Sequence, residues 1–229
     1  MKRLSTGISE LDKILLGGIP QGTLNIVIGP PGSGKSILGL FFLWENLKKG
    51  FPAILINTHK PKEVLNEELE AFNLPPKKFE DKLIHVDCFS WRIGDKNSVD
   101  ISSLTNTTIA IDKILEKITV SDEAKIVIDS FSDFLLLHPP ESVFKFLETE
   151  KFKFYKKGIT CLIVVEEGIR EERVTKTLEF ISDGTIKMKI DESGRFLMIS
   201  RMIATPVKIK WIPFHISKGL KVKVEEFFR

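Results

Sequence analysis

Gly29-Pro30-Pro31-Gly32-Ser33-Gly34-Lys35-Ser36 fills every fixed position of the phosphate-loop pattern G-x-x-x-x-G-K-[ST]. The loop lies between the apolar run Leu24–Ile28, which predicts a buried strand, and the apolar run Ile37–Trp44, which predicts a buried helix. In such a unit, backbone N–H groups and the positive end of the helix dipole converge on one anion. We expect Lys35 to reach the β- and γ-phosphates of a nucleoside triphosphate, and the Ser36 hydroxyl to ligate Mg²⁺.

The whole chain has the size and composition of a globular α/β protein. Its 229 residues are 42% hydrophobic and 28% charged, which suits one domain with a large core. We therefore expect residues 1–229 to form a single ATP-binding domain. No apolar run approaches the about 20 residues of a membrane span, and Met1–Ser5 does not resemble a signal peptide. We expect a cytoplasmic protein, and its two cysteines provide no disulfide framework.

Strand and helix patterns alternate through the first two thirds of the chain. After the phosphate loop they predict strands at 53–57, 83–87, 125–129 and 159–165, and helices at 61–72, 103–118 and 141–156. A short helix with Ser9 as N-cap precedes the loop, and residues 90–102 predict a surface loop. From Gly184 onward, alternation broken by turns predicts antiparallel hairpins. The fold expected is α/β, with a mostly parallel central sheet flanked by helices and antiparallel strands at the C-terminal edge.

Asp129 is the predicted second half of the nucleotide site. It ends an apolar strand, and Ser130–Ser132 is predicted to leave it as a loop. Ligands gather at the carboxyl ends of parallel strands, where Asp129 is expected to lie. Phosphate-loop proteins use a carboxylate at this place to hold Mg²⁺. We therefore predict a metal site formed by Ser36 and Asp129.

Six segments carry a family resemblance: Leu4–Asp12, Gly17–Gly22, Gly29–Ser36, Val127–Ser130, Ile181–Ile186 and Ile212–Ile216. With these segments the chain resembles the KaiC-like branch of the RecA superfamily, which includes the archaeal RadA paralogues, over essentially its whole length. The phosphate loop is shared by many families, whereas the opening and the two late segments are specific. The resemblance implies a RecA-type ATPase core that binds ATP and Mg²⁺. It also implies a homo-oligomer, commonly a hexameric ring with nucleotide between subunits.

Two departures from the family's pattern concern catalysis. Active relatives have two glutamates shortly before a proline, and the first positions the attacking water; anchored on Pro61, these positions here hold Thr58 and His59. Active relatives also carry Lys-Met-Arg-Gly in the late hairpin, whose basic residues reach the neighbour's γ-phosphate. The corresponding segment here is Arg201–Ala204, with the sequence Arg-Met-Ile-Ala. Loss of a general base typically costs about 10²–10⁴ in rate, so we expect ATP binding with slow or negligible hydrolysis.

Four residues remain candidates for catalysis. His59 is a base when it is neutral, although a nearby triphosphate favours the imidazolium form. Glu166 and Glu167 end the strand predicted at 159–165 and are either directed at the site or solvated. Arg201 is a candidate to act in trans on the γ-phosphate of a neighbouring subunit.

Three functions stay open at this stage. The first is a nucleotide-dependent regulator in DNA recombination or repair, with single-stranded DNA as a candidate partner. Residues 201–229 contain seven Lys or Arg and two Glu, which is typical of a nucleic-acid footprint, although the alternation in Lys208–Lys210 and Lys221–Lys223 favours a solvated strand face. Gly168–Lys176, the segment expected to line a ring's pore, contains no aromatic residue on which a base could stack. The second is an active ATPase, or a KaiC-style autokinase with Ser130 or Ser132 as acceptor. The third is a structural ring subunit held together by ATP.

Overall fold

The computed structural model describes residues 1–79, 81–119 and 122–216, and the backbone of 220–222. The strands of this part of the chain are β1 Arg3–Leu4, β2 Ile19–Pro20, β3 Leu24–Gly29, β4 Ala53–Asn57, β5 Leu83–Asp87, β6 Lys125–Asp129, β7 Thr160–Glu166, β8 Gly184–Asp191, β9 Gly194–Met202, β10 Ile212–Ile216 and β11 Leu220–Val222. The α-helices are α1 Ser9–Ile14, α2 Lys35–Lys48, α3 Lys62–Ala71, α4 Leu104–Leu115, α5 Ser132–Leu137, α6 Pro140–Lys157 and α7 Glu172–Ile181.

Nine strands form one sheet in the order β11-β10-β9-β8-β3-β7-β6-β4-β5. The strands from β8 to β5 in this order run parallel, and β9, β10 and β11 are added antiparallel beside β8. The predicted α/β fold with an antiparallel edge is therefore confirmed. One detail differs, because β8 itself is a parallel neighbour of β3 and the antiparallel part begins at β9.

The inner parallel strands β3, β4, β6 and β7 are mainly apolar because helices cover both faces of the sheet. Val27 and Leu55 belong to a buried cluster with residues of α1, α2 and α3. Ile26 and Ile54, which point the other way, belong to a second cluster with residues of α4, α5, α6 and α7. A strand that is buried on both faces appears in sequence as a continuous apolar run, which is how these strands were predicted.

The carboxyl ends of the parallel strands bring the expected site residues to one edge of the sheet. The register pairs Gly29 of β3 with Glu166 of β7, and Asn57 of β4 with Asp129 of β6. Thr58 and His59 follow Asn57 directly, so the positions expected to carry the two glutamates lie at the same edge as the phosphate loop.

Several local predictions were wrong. Ser9 is the first residue of α1 and not its N-cap, which is Ile8 without a side-chain hydrogen bond. Ser130–Ser132 leads into the helix α5, and the segment Gly168–Lys176 runs into α7. Ser90–Ile93 forms a 3₁₀ turn inside the predicted surface loop. The 3₁₀ turn and α5 are short, and α5 has consecutive rather than periodic apolar residues, so helical spacing did not reveal it.

Some predictions concern the ends and the environment of the chain. Within the basic tail, Arg201, Lys208 and Lys210 are exposed, whereas Lys218, Lys223 and Arg229 lie outside the described residues. In the part of the chain that the structure describes, no helix has both the length and the apolar composition needed to cross a bilayer.

Candidate nucleotide site

The phosphate loop connects β3 to the N-terminus of α2 in a conformation that needs its glycines. Gly32 and Gly34 have φ of +76° and +100°, a region that other L-residues rarely adopt. A Cβ on Gly34 would also lie 2.7 Å from the Cδ1 atom of Ile216. The first N–H groups of α2 have no intrahelical acceptor. The loop therefore presents donors and the positive end of a helix dipole at one place, as an anion site requires.

Lys35 is buried, and its ammonium group is already bound. Its side chain is 3% exposed, and Nζ lies 3.0 Å from Oε2 of Glu166. Nζ also donates a hydrogen bond to the carbonyl oxygen of Pro30 at 2.8 Å. The strand-end candidate Glu166 therefore faces the phosphate loop rather than bulk solvent. A phosphate that binds Lys35 has to replace this carboxylate or share the ammonium group with it.

Ser36 and Asp129 meet as the sequence predicts. Burial raises the pKa of the Asp129 carboxyl, against the hydrogen bond from the Ser36 side chain and the nearby charges of His59 and Lys60. A buried carboxylate next to a hydroxyl is an oxygen donor set of the kind that Mg²⁺ prefers. The positive charge of a cation at this place would offset the cost of burying the carboxylate. Ser36 and Asp129 therefore fit a magnesium ion.

A cavity of about 410 Å³ opens over the phosphate loop. It is lined by Gly32, Gly34, Lys35, Ser36, Ile37, Glu68, Phe72, Glu166, Arg195 and Ile216. Lys35, Glu166 and Arg195 contact the loop, whereas the apolar residues are Ile37 of α2, Phe72 directly after α3 and Ile216 of β10. The cavity therefore has a polar end for an anion and an apolar wall for an uncharged group.

Five residues of this cavity were missed by the sequence reasoning: Ile37, Glu68, Phe72, Arg195 and Ile216. Arg195 donates a hydrogen bond from Nε to the carbonyl oxygen of Gly32 at 2.9 Å, across a sequence separation of 163 residues. A signal for it existed, since Arg195 follows the predicted turn Asp191–Gly194 that returns the chain to this edge of the sheet. Glu68 and Phe72 lie on or just after α3, and no local pattern distinguishes them from its other polar and apolar residues.

Thr58 and His59 occupy different environments. Thr58 is 1% exposed; its Oγ1 accepts a hydrogen bond from the Ser130 N–H at 2.8 Å and donates one to the Ser130 carbonyl oxygen at 3.0 Å. The peptide bond between Asp129 and Ser130 is cis. His59 has a side chain that is 44% exposed, with Nδ1 3.6 Å from Oδ2 of Asp133. Thr58 thus connects the end of β4 to Ser130 through its hydroxyl group, whereas His59 is accessible to solvent at the edge of the site.

Arg201 lies at the opposite end of the sheet from its own phosphate loop. On β9 it pairs with Thr185, near the start of β8, and the start of β8 is aligned with Asn25 at the start of β3. Its guanidinium group donates a hydrogen bond to the carbonyl oxygen of Ser182. The phosphate loop follows the other end of β3, so Arg201 cannot act on a nucleotide bound by the same chain.

The serines considered as phosphate acceptors are buried. Ser130 and Ser132 are both inaccessible to solvent, and Oγ of Ser132 accepts a hydrogen bond from the Glu166 N–H at 2.8 Å. Oγ of Ser130 lies 3.4 Å from the carbonyl oxygen of Val164. These contacts give both hydroxyls a role in holding the strand ends together.

Known proteins resemble this chain over its full length. A family model described as ATPase: KaiC matches residues 4–226. A UPF0273 protein of Thermotoga maritima is 27% identical over 237 residues, covering 99% of this chain and 98% of that protein. A UPF0273 protein of Pyrococcus horikoshii is 28% identical, covering 96% and 94%. The crystal structure of a KaiC-like protein from P. horikoshii has the same fold, with a TM-score of 0.80 at 23% identity, covering 96% of this chain and 98% of that one.

Proposed function

The chain belongs to the KaiC family of ATPases, and on this premise we propose that it is a nucleotide-dependent regulator that binds ATP with Mg²⁺ and hydrolyses it slowly. The observation that carries the proposal is that Asp129, from a distant part of the sequence, meets Ser36, which lines the cavity over the phosphate loop beside Lys35. We further propose that residues 1–229 act as a single ATP-binding domain.

The cavity suits both parts of a nucleotide. The phosphates lie over the N-terminus of α2, where Lys35 exchanges the Glu166 carboxylate for phosphate oxygens. Mg²⁺, when bound, neutralises the charge on the β- and γ-phosphates. Ser36 and Asp129 hold and orient that ion. The base lies against Ile37, Phe72 and Ile216, because an aromatic ring gains most from an apolar wall.

Slow hydrolysis is supported by the state of Thr58. A glutamate at this position positions the attacking water in active relatives, whereas Thr58 is buried and both hydrogen bonds of its hydroxyl go to Ser130. Loss of a general base typically lowers a rate by about 10²–10⁴. The intact phosphate loop leaves binding unaffected, and long occupancy by the triphosphate is what a regulator requires.

Assembly into a ring, of six subunits by analogy with the family, is the proposed output. An apolar groove lies at the sheet edge opposite the phosphate loop, and its rim includes Phe152, Tyr155, Phe180 and Ile203, all exposed. Arg201 lies beside it on β9. A second copy of the chain that covers the groove with its phosphate-loop side would receive Arg201 at its own nucleotide, so the groove and Arg201 are explained together.

Single-stranded DNA as the regulated partner has little support in the segment Gly168–Lys176. Arg170 donates two hydrogen bonds to a backbone carbonyl of α5, at 2.8 and 2.6 Å. Arg173 and Lys176 form ion pairs with neighbouring glutamates at 3.3 and 2.8 Å. These basic groups already have partners, and the segment has no aromatic residue on which a base would stack. We therefore propose regulation through assembly and leave DNA as an outcome to test.

Titration with a fluorescent ATP analogue tests the proposed function. We expect binding that requires Mg²⁺, is lost in Lys35→Ala, is weakened in Asp129→Asn and is unchanged in the exposed-lysine control Lys117→Ala. Failure of the unaltered protein to bind ATP would overturn the proposal. A phosphate-release assay that gives turnover near 1 s⁻¹, typical of a working ATPase, and loses it in Lys35→Ala would overturn slow hydrolysis.

Oligomeric mass, measured by light scattering with and without ATP, separates regulation from a purely structural ring. A regulator changes its mass or its binding of a partner with nucleotide state. A ring that forms with ATP and responds to ADP identically, with no other ligand bound, would contradict regulation. Binding of labelled single-stranded DNA that weakens steeply with added salt would restore the DNA proposal.

A further inference from the structure

We propose that His59, held in position by Asp133, is the general base for the slow ATP hydrolysis of this chain. The assignment rests on the proposed ATP site and adds to it a base, and a residue that orients the base, in place of the missing glutamate. His59 alone is an exposed histidine at the edge of the sheet that carries the phosphate loop. The pairing with Asp133 is what gives it a defined orientation.

His59 lies at the correct edge of the sheet for this role. It follows β4 by two residues, and the last residue of β4, Asn57, is the register neighbour of Asp129. The N–H of Thr58, the residue between Asn57 and His59, donates to the carbonyl oxygen of Asp129 at 2.9 Å, so the backbone at His59 runs beside the end of β6. Its side chain is only partly buried. A water molecule therefore has access to the ring at the same edge of the sheet as the phosphate loop.

Asp133 has the geometry of an orienting carboxylate. It lies in the first turn of α5, four residues after Asp129, and its side chain is 13% exposed. Its Oδ2 atom is 3.6 Å from Nδ1 of His59 and is buried without a hydrogen bond to any described residue. Such contacts are often long in a protein without ligand and tighten when the substrate binds. Because a buried acceptor gains by receiving a proton donor, Asp133 favours the His59 tautomer that carries its proton on Nδ1.

Arg92 holds the carboxylate in place from the other side. Its Nη2 atom lies 3.7 Å from the same Oδ2 atom of Asp133. Its Nη1 atom donates to the carbonyl oxygen of Thr58 at 3.2 Å, and its guanidinium group packs over the ring of Trp91 at 5.0 Å. Arg92 thus connects Asp133 to the backbone of Thr58, the residue before His59. The distance between His59 and Asp133 therefore does not depend on their own side-chain contact alone.

The two carboxylates that line the cavity already have ammonium partners. Lys60 forms an ion pair with Glu68 at 2.5 Å, and Glu166 is paired with Lys35. Glu68 and Glu166 line the cavity, but each is held by an ammonium group. His59 is the candidate base whose second ring nitrogen remains for water.

In the hydrolysis step, His59 accepts the proton of the attacking water and Asp133 stabilises the charge that His59 gains. As the oxygen of the water forms a bond to the γ-phosphorus, one of its protons passes to Nε2 of His59. The bond between the γ-phosphorus and the bridging oxygen breaks, and its electron pair leaves with ADP. Asp133 stabilises the imidazolium that forms, in the way a carboxylate supports the histidine of a catalytic triad. The imidazolium then returns the proton to solvent or to the released phosphate.

Single-turnover phosphate release and ATP affinity, measured in the same variants, test the pair. We expect His59→Ala to lower the rate about 100-fold and Asp133→Asn about tenfold, with the Kd for ATP changed less than about twofold. Asp133→Glu should restore part of the rate. His215→Gln and Asp81→Asn, which change an exposed histidine and an exposed carboxylate elsewhere, should leave the rate unchanged. Added imidazole should raise the rate of His59→Ala and should not raise that of Lys35→Ala.

The outcomes separate this proposal from the proposed function. A rate for His59→Ala equal to that of the unaltered protein, or a loss that imidazole does not relieve, would overturn the base assignment while ATP binding stands. A protein that binds ATP but turns it over no faster than Lys35→Ala would overturn it equally. A matching loss of ATP affinity in His59→Ala would assign the histidine to binding instead. Only failure of the unaltered protein to bind ATP would remove the site itself.

Discussion

Nζ of Lys35 lies 3.0 Å from Oε2 of Glu166, and strand register explains this ion pair. Gly29 at the end of β3 and Glu166 at the end of β7 are direct neighbours in the sheet, so the carboxylate stands beside the loop that begins at Gly29. The pair satisfies a buried ammonium group before any phosphate arrives. Glu166 is therefore a competitor of the nucleotide for Lys35.

Replacement of Glu166 by glutamine tests this competition. Because the amide carries no charge, Lys35 is released to the phosphates, and we expect Glu166→Gln to bind ATP about tenfold more tightly, the value of one charge-assisted hydrogen bond. Titration with a fluorescent ATP analogue measures the change, with the neighbouring Glu167→Gln as the control. Unchanged affinity combined with a large loss of turnover would show instead that Glu166 acts in catalysis.

The buried strands were predictable because a strand that is covered on both faces appears in the sequence as a continuous apolar run. β4 and β6 occupy the residues predicted for them, since helices cover both faces and each strand is a buried apolar run that ends in a polar residue. The helix α7 was missed although Val174, Leu178 and Ile181 have helical spacing, because the segment was interpreted as a loop by family resemblance. α5 has no such spacing to detect.

Part of the candidate site could be predicted from short sequence patterns, and the rest depends on contacts between segments that are distant in the sequence. The phosphate loop and Asp129 follow from short patterns, and the structure brings them together at one edge of the sheet. Arg195 reaches Gly32 from β9, and Asp133 reaches His59 from α5; neither contact leaves a periodic pattern. Whether such contacts form depends on which strands are neighbours, and this is known only from the order of the strands in the sheet.

Thr58 is expected to matter for stability more than for hydrolysis. In Thr58→Val, the buried N–H and C=O groups of Ser130 both lose their partner, so we expect the free energy of unfolding to fall by about 1–3 kcal/mol. Thr58→Ser keeps the hydroxyl and should retain most of that free energy. Urea denaturation measures both variants. Equal stability of Thr58→Val and the unaltered protein would show that the two hydrogen bonds to Ser130 contribute nothing to the free energy of unfolding.

Lys125 is expected to make stability depend on pH above neutrality. Burial lowers the pKa of its ammonium group to about 7, although Nζ donates to the carbonyl oxygens of Ser5 at 2.6 Å and Phe42 at 2.9 Å. In the unfolded chain a lysine has a pKa of about 10.4. Between these values the unfolded state binds more protons, so the free energy of unfolding rises with pH, by up to about 1.4 kcal/mol per pH unit.

Lys125→Met removes this dependence, and Lys117→Met, which changes an exposed lysine, does not. We therefore expect urea denaturation at pH 7.5, 8.5 and 9.5 to show a stability increase in the unaltered protein and in Lys117→Met that is smaller in Lys125→Met. Below pH 7 the difference in slope disappears, since Lys125 is protonated in both the folded and the unfolded state. Parallel curves for all three proteins across the alkaline range would contradict the lowered pKa.

Phe180 is expected to control assembly without affecting the folded subunit. Its side chain is 80% exposed on α7, at the rim of the apolar groove, so a charge there costs the isolated chain little. In a ring the same charge would be buried against the neighbouring subunit, and an unpaired charge in an interface is strongly unfavourable. We expect Phe180→Glu to shift the ATP-bound protein to monomers, as measured by light scattering, with an unchanged melting temperature and an unchanged Kd for ATP.

The matched control is Ile109→Glu, which places the same charge at an exposed position on α4. Assembly that survives Phe180→Glu but is lost in Ile109→Glu would assign the interface to the helical face around α4, and Arg201 could then no longer be placed at a neighbour's nucleotide through the groove.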